Sequence, residues 1–529
     1  MKATYIDYSD TASFSDTLLA YLSNDEQLKP FYGERPDFEG FRAQIDRRQD
    51  FPHRELLVAQ LKEQYGAILE QSPRVAAHVS LLGERNTFTV TTGHQLNIFT
   101  GPLYFIFKIV TAIRLAKDLK AAFPAYNFVP VYWMATEDHD FAEINHTRVF
   151  GKKISWDIPA VSGTGRMSTA SIADTVKQYC NTFGLSPNAD RLKAIVEQAY
   201  LQGLSLADAT RTMVNELFKQ QGLVIIDADR EAFKRVFIPC IEQDILEEKS
   251  VKAIANASKK LEDLGFQTQV HARDINFFYL TDEFRERIVR LQDGRFEVLH
   301  QDLYFSPDEL KAEIENHPER FSPNVVMRPL YQEIILPNLA YIGGGAEIVY
   351  WLQLKSNFNQ YDAPFPILVP RNSAMITDDS VTSKIFRLDL TFKSIFKSAD
   401  ALKSEYVRRH TKHRLNLRDE WMELNSIFGK IKLRTHKIDP SLGASTEAVK
   451  ARLKKAINSL EKKLLKADKH NYEDALIQIE RVKDKLFPNG GLQERSENFA
   501  SLYVKHGEPL IDELEKHFNP LDFKFTILY

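Results

Sequence analysis

Residues 87–140 read TFTVTTGHQLNIFTGPLYFIFKIVTAIRLAKDLKAAFPAYNFVPVYWMATEDHD, and the rest of the chain is organised around them. A β-branched and aromatic run, 87–91, predicts a strand that breaks at Gly93. The polar loop Gly93-His94-Gln95-Leu96-Asn97 follows it. From Tyr104 to Leu119 apolar residues recur at helical spacing, which leaves Lys108, Arg114 and Lys117 for the opposite side. A second strand, 127–134, ends in the polar cluster Thr136-Glu137-Asp138-His139-Asp140. Strand, loop, helix and strand make a βαβ unit. In an open parallel sheet ligands bind outside the carboxyl ends of the strands, so the two polar clusters should meet at one crevice.

The loop suits an anion. Unpaired N–H groups at a helix start sit at the positive end of the helix dipole and attract phosphate or carboxylate. Gly93 and Gly101 allow close turns, and His94, Gln95 and Asn97 add side-chain donors. Neither a GxGxxG fingerprint nor a GxxxxGK[ST] loop is present, so the usual dinucleotide and Walker-type readings lose support. The His94-x-x-Asn97 spacing resembles the His-x-Gly-His loop with which class I aminoacyl-tRNA synthetases hold ATP phosphates. Here Leu96 replaces its glycine and Asn97 its second histidine.

Composition bounds the rest. With 529 residues, 43% hydrophobic and 27% charged, the chain is globular and too long for one core, so two or three domains are expected. A net charge of −3 gives no global reason to expect nucleic acid or membrane binding. The opening MKATYIDYSDTASFS lacks the apolar stretch of a signal peptide, and a cytoplasmic protein is expected. Cys180 and Cys240 are too few for a disulfide framework or a cysteine-rich zinc site, and read as buried structural thiols.

Along the chain, residues 1–80 read as helical, with Asp10 or Ser13 as caps. Residues 147–168 alternate and predict short antiparallel strands or a loop insertion, and 171–219 return to helices, ending at Gln221-Gly222 with Gly as a C-cap. LVIID, 223–227, reads as a central strand and 230–263 as one long helix. QTQVHA, NFFYLTD, RERIVRLQD and RFEVLH predict an antiparallel β insertion. A second βαβ unit follows, with strands at 336–342 and 366–369 and a helix at 346–358. From about 379 the tail is helical and rich in Lys and Arg. Leu453, Ile457, Leu460, Leu464 and Ala467 keep heptad spacing, as do Tyr472, Ala475, Ile479, Val482 and Leu486. The two stripes are out of phase, which places a register break at 469–471. Leu417, Trp421, Leu424 and Phe428 could supply the partner helix, and FKFTILY reads as a segment returning to the core.

A longer set of motifs is more specific. TTGHQLNIFTGPLYFIFK, PVYWMATEDHDFAEI, GGGAEIVYWLQLK (343–355), VPRNS (369–373) and LFPNGGLQER (486–495) together resemble the cysteine-adding enzymes of bacillithiol biosynthesis, the cysteine ligase family. The resemblance implies an α/β fold: a Rossmann-like parallel sheet over residues 1–378, with connecting subdomains inserted near 147–222 and 264–322. A helical coiled-coil domain, 379–529, follows, its last segment returning to the core. It implies a ligase that joins cysteine to glucosaminyl-malate through an amide. Activation of a carboxylate makes ATP, with Mg²⁺, the expected energy source, and the coiled coil suggests a homodimer. A synthetase-like module that binds nucleotide or RNA through the basic arm, without ligase activity, is the alternative.

On that reading His94, Asn97 and His139 are the catalytic candidates. Gly93, Gln95, Gly101, Glu137, Asp138, Asp140, Gly344, Glu347, Arg371, Asn372 and Ser373 would bind substrate or nucleotide. Each has an ordinary alternative, since loops cap helices and acidic residues stabilise helix starts without any ligand. His139, Glu143 and His146 would form a metal-binding face only if one helix ran through Asn145, and no metal site is expected. The Lys-rich phosphate loop of the synthetases is absent, and Lys393-Ser394 and Lys397-Ser398 are only loose echoes of it.

Overall fold

The structure, a computed structural model, describes all residues except Gln49, Val161, His413 and Arg414. The chain divides into two units, Met1–Met375 with Gly491–Leu528, and Ile376–Gly490 with Tyr529.

The first unit is built on a five-stranded sheet. Its strands are β1 (Thr87–His94), β2 (Asn127–Met134), β3 (Val224–Asp227), β4 (Asn338–Gly343) and β5 (Ile367–Pro370). The order is β5-β4-β1-β2-β3, with every neighbour parallel. This is a doubly wound arrangement whose connections reverse direction between β1 and β4, the place where such sheets open a crevice. The long helix α1 (Leu103–Ala122) connects β1 to β2. Alternation along β1 serves two layers. Phe88 and Val90 pack with Ala112, Leu115 and Leu119 of α1. Thr89 and Thr91 instead donate to Asn338 Oδ1 on β4, at 3.0 and 2.8 Å.

The apolar run at 223–227 forms β3 at an edge of the sheet, where a central strand was expected. Its burial has a specific cause. Helix Arg54–Tyr65 covers the edge: Tyr65 Oη accepts from the Ile225 N–H, and the Gln64 amide pairs with Ile225 O and the Asp227 N–H. An edge sealed in this way carries the hydrophobicity of an interior strand.

Other expectations change in detail. The first helix, Asp16–Leu22, is capped by Ser15 and not by Asp10 or Ser13, and strand Ala3–Asp7 precedes it. The expected helix at 230–263 is two helices, Glu231–Glu247 and Lys249–Asp263, broken where Glu248 turns left-handed. The 346–358 helix is also two, Gly345–Trp351 and Lys355–Gln360. Gly222 does take the left-handed cap conformation, at φ 73°. His146–Val149 and Lys152–Ser155 form the short antiparallel pair expected after β2; Val161 in that stretch lies outside the described residues. The second insertion is a five-stranded antiparallel sheet, although QTQVHA contributes no strand to it. Lys524–Leu528 pairs antiparallel with Ala3–Asp7, so the last segment rejoins the first unit.

The second unit carries the coiled coil. Helix Arg418–Ile438 and helix Leu442–Lys469 form an antiparallel hairpin. Leu417 N–H meets Glu461, Lys454 lies over the Trp421 ring, and Lys432 pairs with Glu447. A 3₁₀ turn at His470–Tyr472 separates the hairpin from helix Glu473–Leu486, at the predicted register break.

Candidate active site

Polar side chains gather at two places at the carboxyl ends of the strands. The first is the crevice between β1 and β4. Lys108 reaches it from α1, fully inside the protein, contrary to the expected solvent-facing position. Its Nζ donates to Gly93 O at 2.9 Å and pairs with Glu347 at 2.7 Å. The reason lies in α1 itself. Every residue from Phe105 to Ile113 is buried, so the helix has no outer side there. Burial pulls the Lys108 ammonium below its usual range, and Glu347 opposes that. Glu347 also accepts the Gly344 N–H at 2.6 Å, closing the start of its own helix.

His94 ends β1 with its ring stacked on Phe105, centroids 5.0 Å apart, and edge-on to Tyr104. Its Nε2 is buried and has no hydrogen-bond partner. Burial, with the charges of Lys108 and Arg371, holds its pKa well below 6.5, so the ring is neutral near pH 7. Arg371 follows β5. Its Nη2 donates to Glu494 at 2.7 Å and its Nη1 to Ser373 Oγ and Asn372 O, while its Nε is buried without a partner. Glu494 outweighs burial and keeps the guanidinium charged. Arg328, from helix Arg328–Ile335, completes the group. Its Nη1 binds Gln332 at 3.1 Å, and its Nη2 is buried and unpaired. A Cβ added to Gly93 would lie 3.4 Å from that Nη1, so the guanidinium crosses the end of β1.

The second space is a chamber of about 370 Å³ beyond the end of β2, walled by the antiparallel insertion. Trp133, Glu137, Asp138, Arg273, Arg285 and Arg328 are among its lining residues. Glu137 is paired with the wholly buried Lys234, yet burial still raises its carboxyl pKa. Asp138 accepts from Gln95 Nε2 at 2.6 Å, which ties the β1 loop to the β2 cluster as the strand order requires.

The predicted site residues therefore divide. Gly93, His94, Gly344, Glu347 and Arg371 gather at the crevice; Glu137 and Asp138 line the chamber, and Gln95 bridges the two loops. Asn372 and Ser373 are buried and engaged elsewhere, Asn372 with Thr111 and Asn519 O, so they hold the β5 turn in place. Asn97 packs against Gly101, where an added Cβ would come within 2.5 Å of the Asn97 Cβ. His139 is half-exposed and its Nδ1 accepts from Arg285 at 2.7 Å, while burial and Arg285 lower its pKa. Asp140 is exposed at the start of the short helix Phe141–Ile144. That helix stops before His146, which lies on a strand, so His139, Glu143 and His146 share no helical face. No group of three potential metal ligands occurs among the described residues. At the expected open helix start the Leu103 N–H is already engaged, donating to Glu497 O at 2.8 Å.

Sequence reasoning missed Lys108, Arg328, Glu494 and Asn498. For Lys108 a signal existed, a single lysine flanked on both sides by buried-type residues. Asn498 is fully buried and donates to Phe99 O at 2.8 Å and Gly101 O at 2.7 Å. Between those carbonyls Phe99, Thr100 and Gly101 all have positive φ, at 53, 71 and 58°. Such backbone persists only where its surroundings over-determine it. Cys180 and Cys240 are buried free thiols, each raised to about 12 by burial, and neither is part of this machinery.

Comparison with known proteins agrees with this architecture. Residues 1–372 match the family model described as bacillithiol biosynthesis BshC, N-terminal Rossmann-like domain. Residues 374–529 match the BshC C-terminal coiled-coil domain. A Flavobacterium johnsoniae protein named "Putative cysteine ligase BshC" is 42% identical, with all of both chains aligned. Proteins of the same name from Cytophaga hutchinsonii and Bacillus cereus are 38% and 28% identical, covering 99% and 96% of this chain and 98% and 97% of theirs. Along its whole length, then, this chain belongs to the bacillithiol biosynthesis BshC family.

Proposed function

We propose that the protein is a cysteine ligase of bacillithiol biosynthesis, forming an amide between the cysteine carboxyl group and the amine of glucosaminyl-malate. The observation that carries this reading is the set of three buried, unpartnered polar atoms at the switch point of the sheet, His94 Nε2, Arg371 Nε and Arg328 Nη2. A buried donor without a partner costs about 1–3 kcal/mol, which an anionic ligand would recover. Carboxylate and phosphate both fit this donor set. ATP, when bound, supplies the group that converts a carboxylate oxygen into a leaving group. His94 and Arg371 hold the anion, Lys108 and Glu347 fix the walls, and the chamber carboxylates Glu137 and Asp138 orient the amine. Both carboxylates already have protein partners, so Mg²⁺ would arrive with the nucleotide phosphates. The hairpin of the second unit would pair two copies through the exposed Met422 and Leu433, which share one helix face.

The test is mass spectrometry of the protein with ATP, Mg²⁺, cysteine and glucosaminyl-malate, each also omitted in turn. Bacillithiol only in the complete mixture is the expected result, with AMP or ADP identifying the activation route. Absence of product from folded protein would overturn the reading.

A further inference from the structure

Arg328 is the residue that belongs to both spaces. It lines the chamber, and its Nη1 lies against the end of β1 at Gly93. Its place is fixed by Gln332, which holds Nη1, by the Tyr350 hydroxyl, which bonds the guanidinium, and by the Trp133 and Tyr341 rings, 5.7 and 5.5 Å from the guanidinium carbon. Nη2 remains, shielded from solvent, with no protein acceptor. Three other cations nearby are committed differently. Lys108 is bound to Glu347 and Gly93 O, Lys234 to Glu137 and Phe321 O, and Arg285 to Ser322, Pro323 O and His139.

This placement matters for an amide-forming step, and the inference rests on the ligase reading above. An activated carboxyl group held in the crevice and an amine held in the chamber must meet at the boundary between them. When the amine nitrogen attacks, its lone pair forms the C–N bond and the carbonyl π pair moves onto oxygen. Negative charge therefore appears on an atom that was neutral before attack. Collapse of that oxyanion restores the carbonyl, expels phosphate or AMP, and releases the amine proton to a base or solvent. Donors already aimed at the developing charge stabilise it without reorganising.

We propose that Arg328 is a catalytic residue of this chain, its Nη2 donating to the carbonyl oxygen as amide formation develops charge there. Arg328 then contributes to the second half-reaction and not to activation of the carboxylate.

The two halves separate experimentally. Cysteine-dependent positional isotope exchange within ATP reads activation, and amide formation reads the attack, both with Arg328→Gln. Exchange within about threefold of wild type together with a roughly 10²–10³-fold loss of amide formation is the expected result. Equal loss of both would make Arg328 a ground-state anchor and overturn the role, as would unimpaired amide formation. Should Arg328→Gln fail to fold, Arg328→Lys retains the charge but not the fork, and the same split is expected in weaker form. Methylguanidinium added to Arg328→Ala should restore amide formation; failure in folded protein counts against the proposal. A wild-type protein that makes no amide overturns the ligase reading itself, and this proposal with it.

Discussion

Arg371 and Glu494 form a buried ion pair, Nη2 to Oε1 at 2.7 Å, between residues 123 positions apart in the chain. Glu494 Oε2 also accepts the Ala374 N–H at 3.0 Å, so one carboxylate fixes both the guanidinium and the backbone behind it. Removing one partner of such a pair leaves an uncompensated buried charge. Glu494→Ala should therefore destabilise the protein by about 3–5 kcal/mol, read as a fall in the urea midpoint. A midpoint unchanged from wild type would contradict the pairing.

His94→Ala should lower kcat/KM by about 10²–10³-fold, the usual effect of losing one preorganised donor. The ring also packs against Phe105, so a stability loss is expected alongside. A His94→Gln variant separates the effects by keeping volume and a donor: it should regain most stability but only part of the activity. Because His94 is held neutral, no acid limb near pH 6.5 in kcat/KM should come from it.

Gly101→Ala places a methyl group 2.5 Å from the Asn97 Cβ at a φ of +58°. Both strain and clash oppose it, at a cost of about 1–3 kcal/mol or more. Thermal denaturation with activity assays should show loss of both. A mutant as stable and active as wild type would mean that the turn relaxes freely.

Glu333 gives a pH prediction. It is wholly buried against Arg48, and burial raises its carboxyl pKa to about 7 from 4.5. The folded state therefore holds a proton that the unfolded state has released between those values. The stability this contributes is complete below pH 4.5 and is lost as pH rises through about 7. Urea titrations at pH 5 and 8 should show Glu333→Gln gaining on wild type at the higher pH. A gap that moves the other way would mean the Arg48 charge dominates.

Met422→Glu with Leu433→Glu, exposed on one face of helix Arg418–Ile438, should reduce the mass in solution from twice the 60.9 kDa chain to one chain. Sedimentation equilibrium is the measurement. A wild-type monomer would remove the dimer proposal.

Much of this architecture is legible in one dimension because it rests on periodicity. The β1-α1-β2 unit and the coiled-coil register break follow from apolar spacing alone, and Gly101 marks a real turn; Gly93 does not break β1 but stays in register opposite Trp133, its missing side chain leaving room for Tyr341 and Arg328. What spacing does not carry is the identity of a side chain's distant partner. Lys108 breaks the apolar pattern of α1, yet only the fold brings Glu347 to it, 239 residues away. Arg328 sits in a run, NVVMRP, whose pattern gives no sign that its guanidinium would cross the end of β1. The β3 edge was misread for a related reason. Its burial comes from two side chains of a helix about 160 residues earlier in the chain. His139 and Asp140 share a cluster with Glu137 and Asp138 in sequence, but the chain turns outward after Asp138 and leaves both exposed, with His139 held to Arg285 at the chamber wall.

The segment Gly491–Leu528 supplies Glu494 to Arg371, Glu497 O to the start of α1 and Asn498 to the left-handed turn. One short segment thus ties together places that lie from 123 to 399 residues away along the chain, so a single stretch of backbone holds the turn after β5, the start of α1 and the left-handed turn in common.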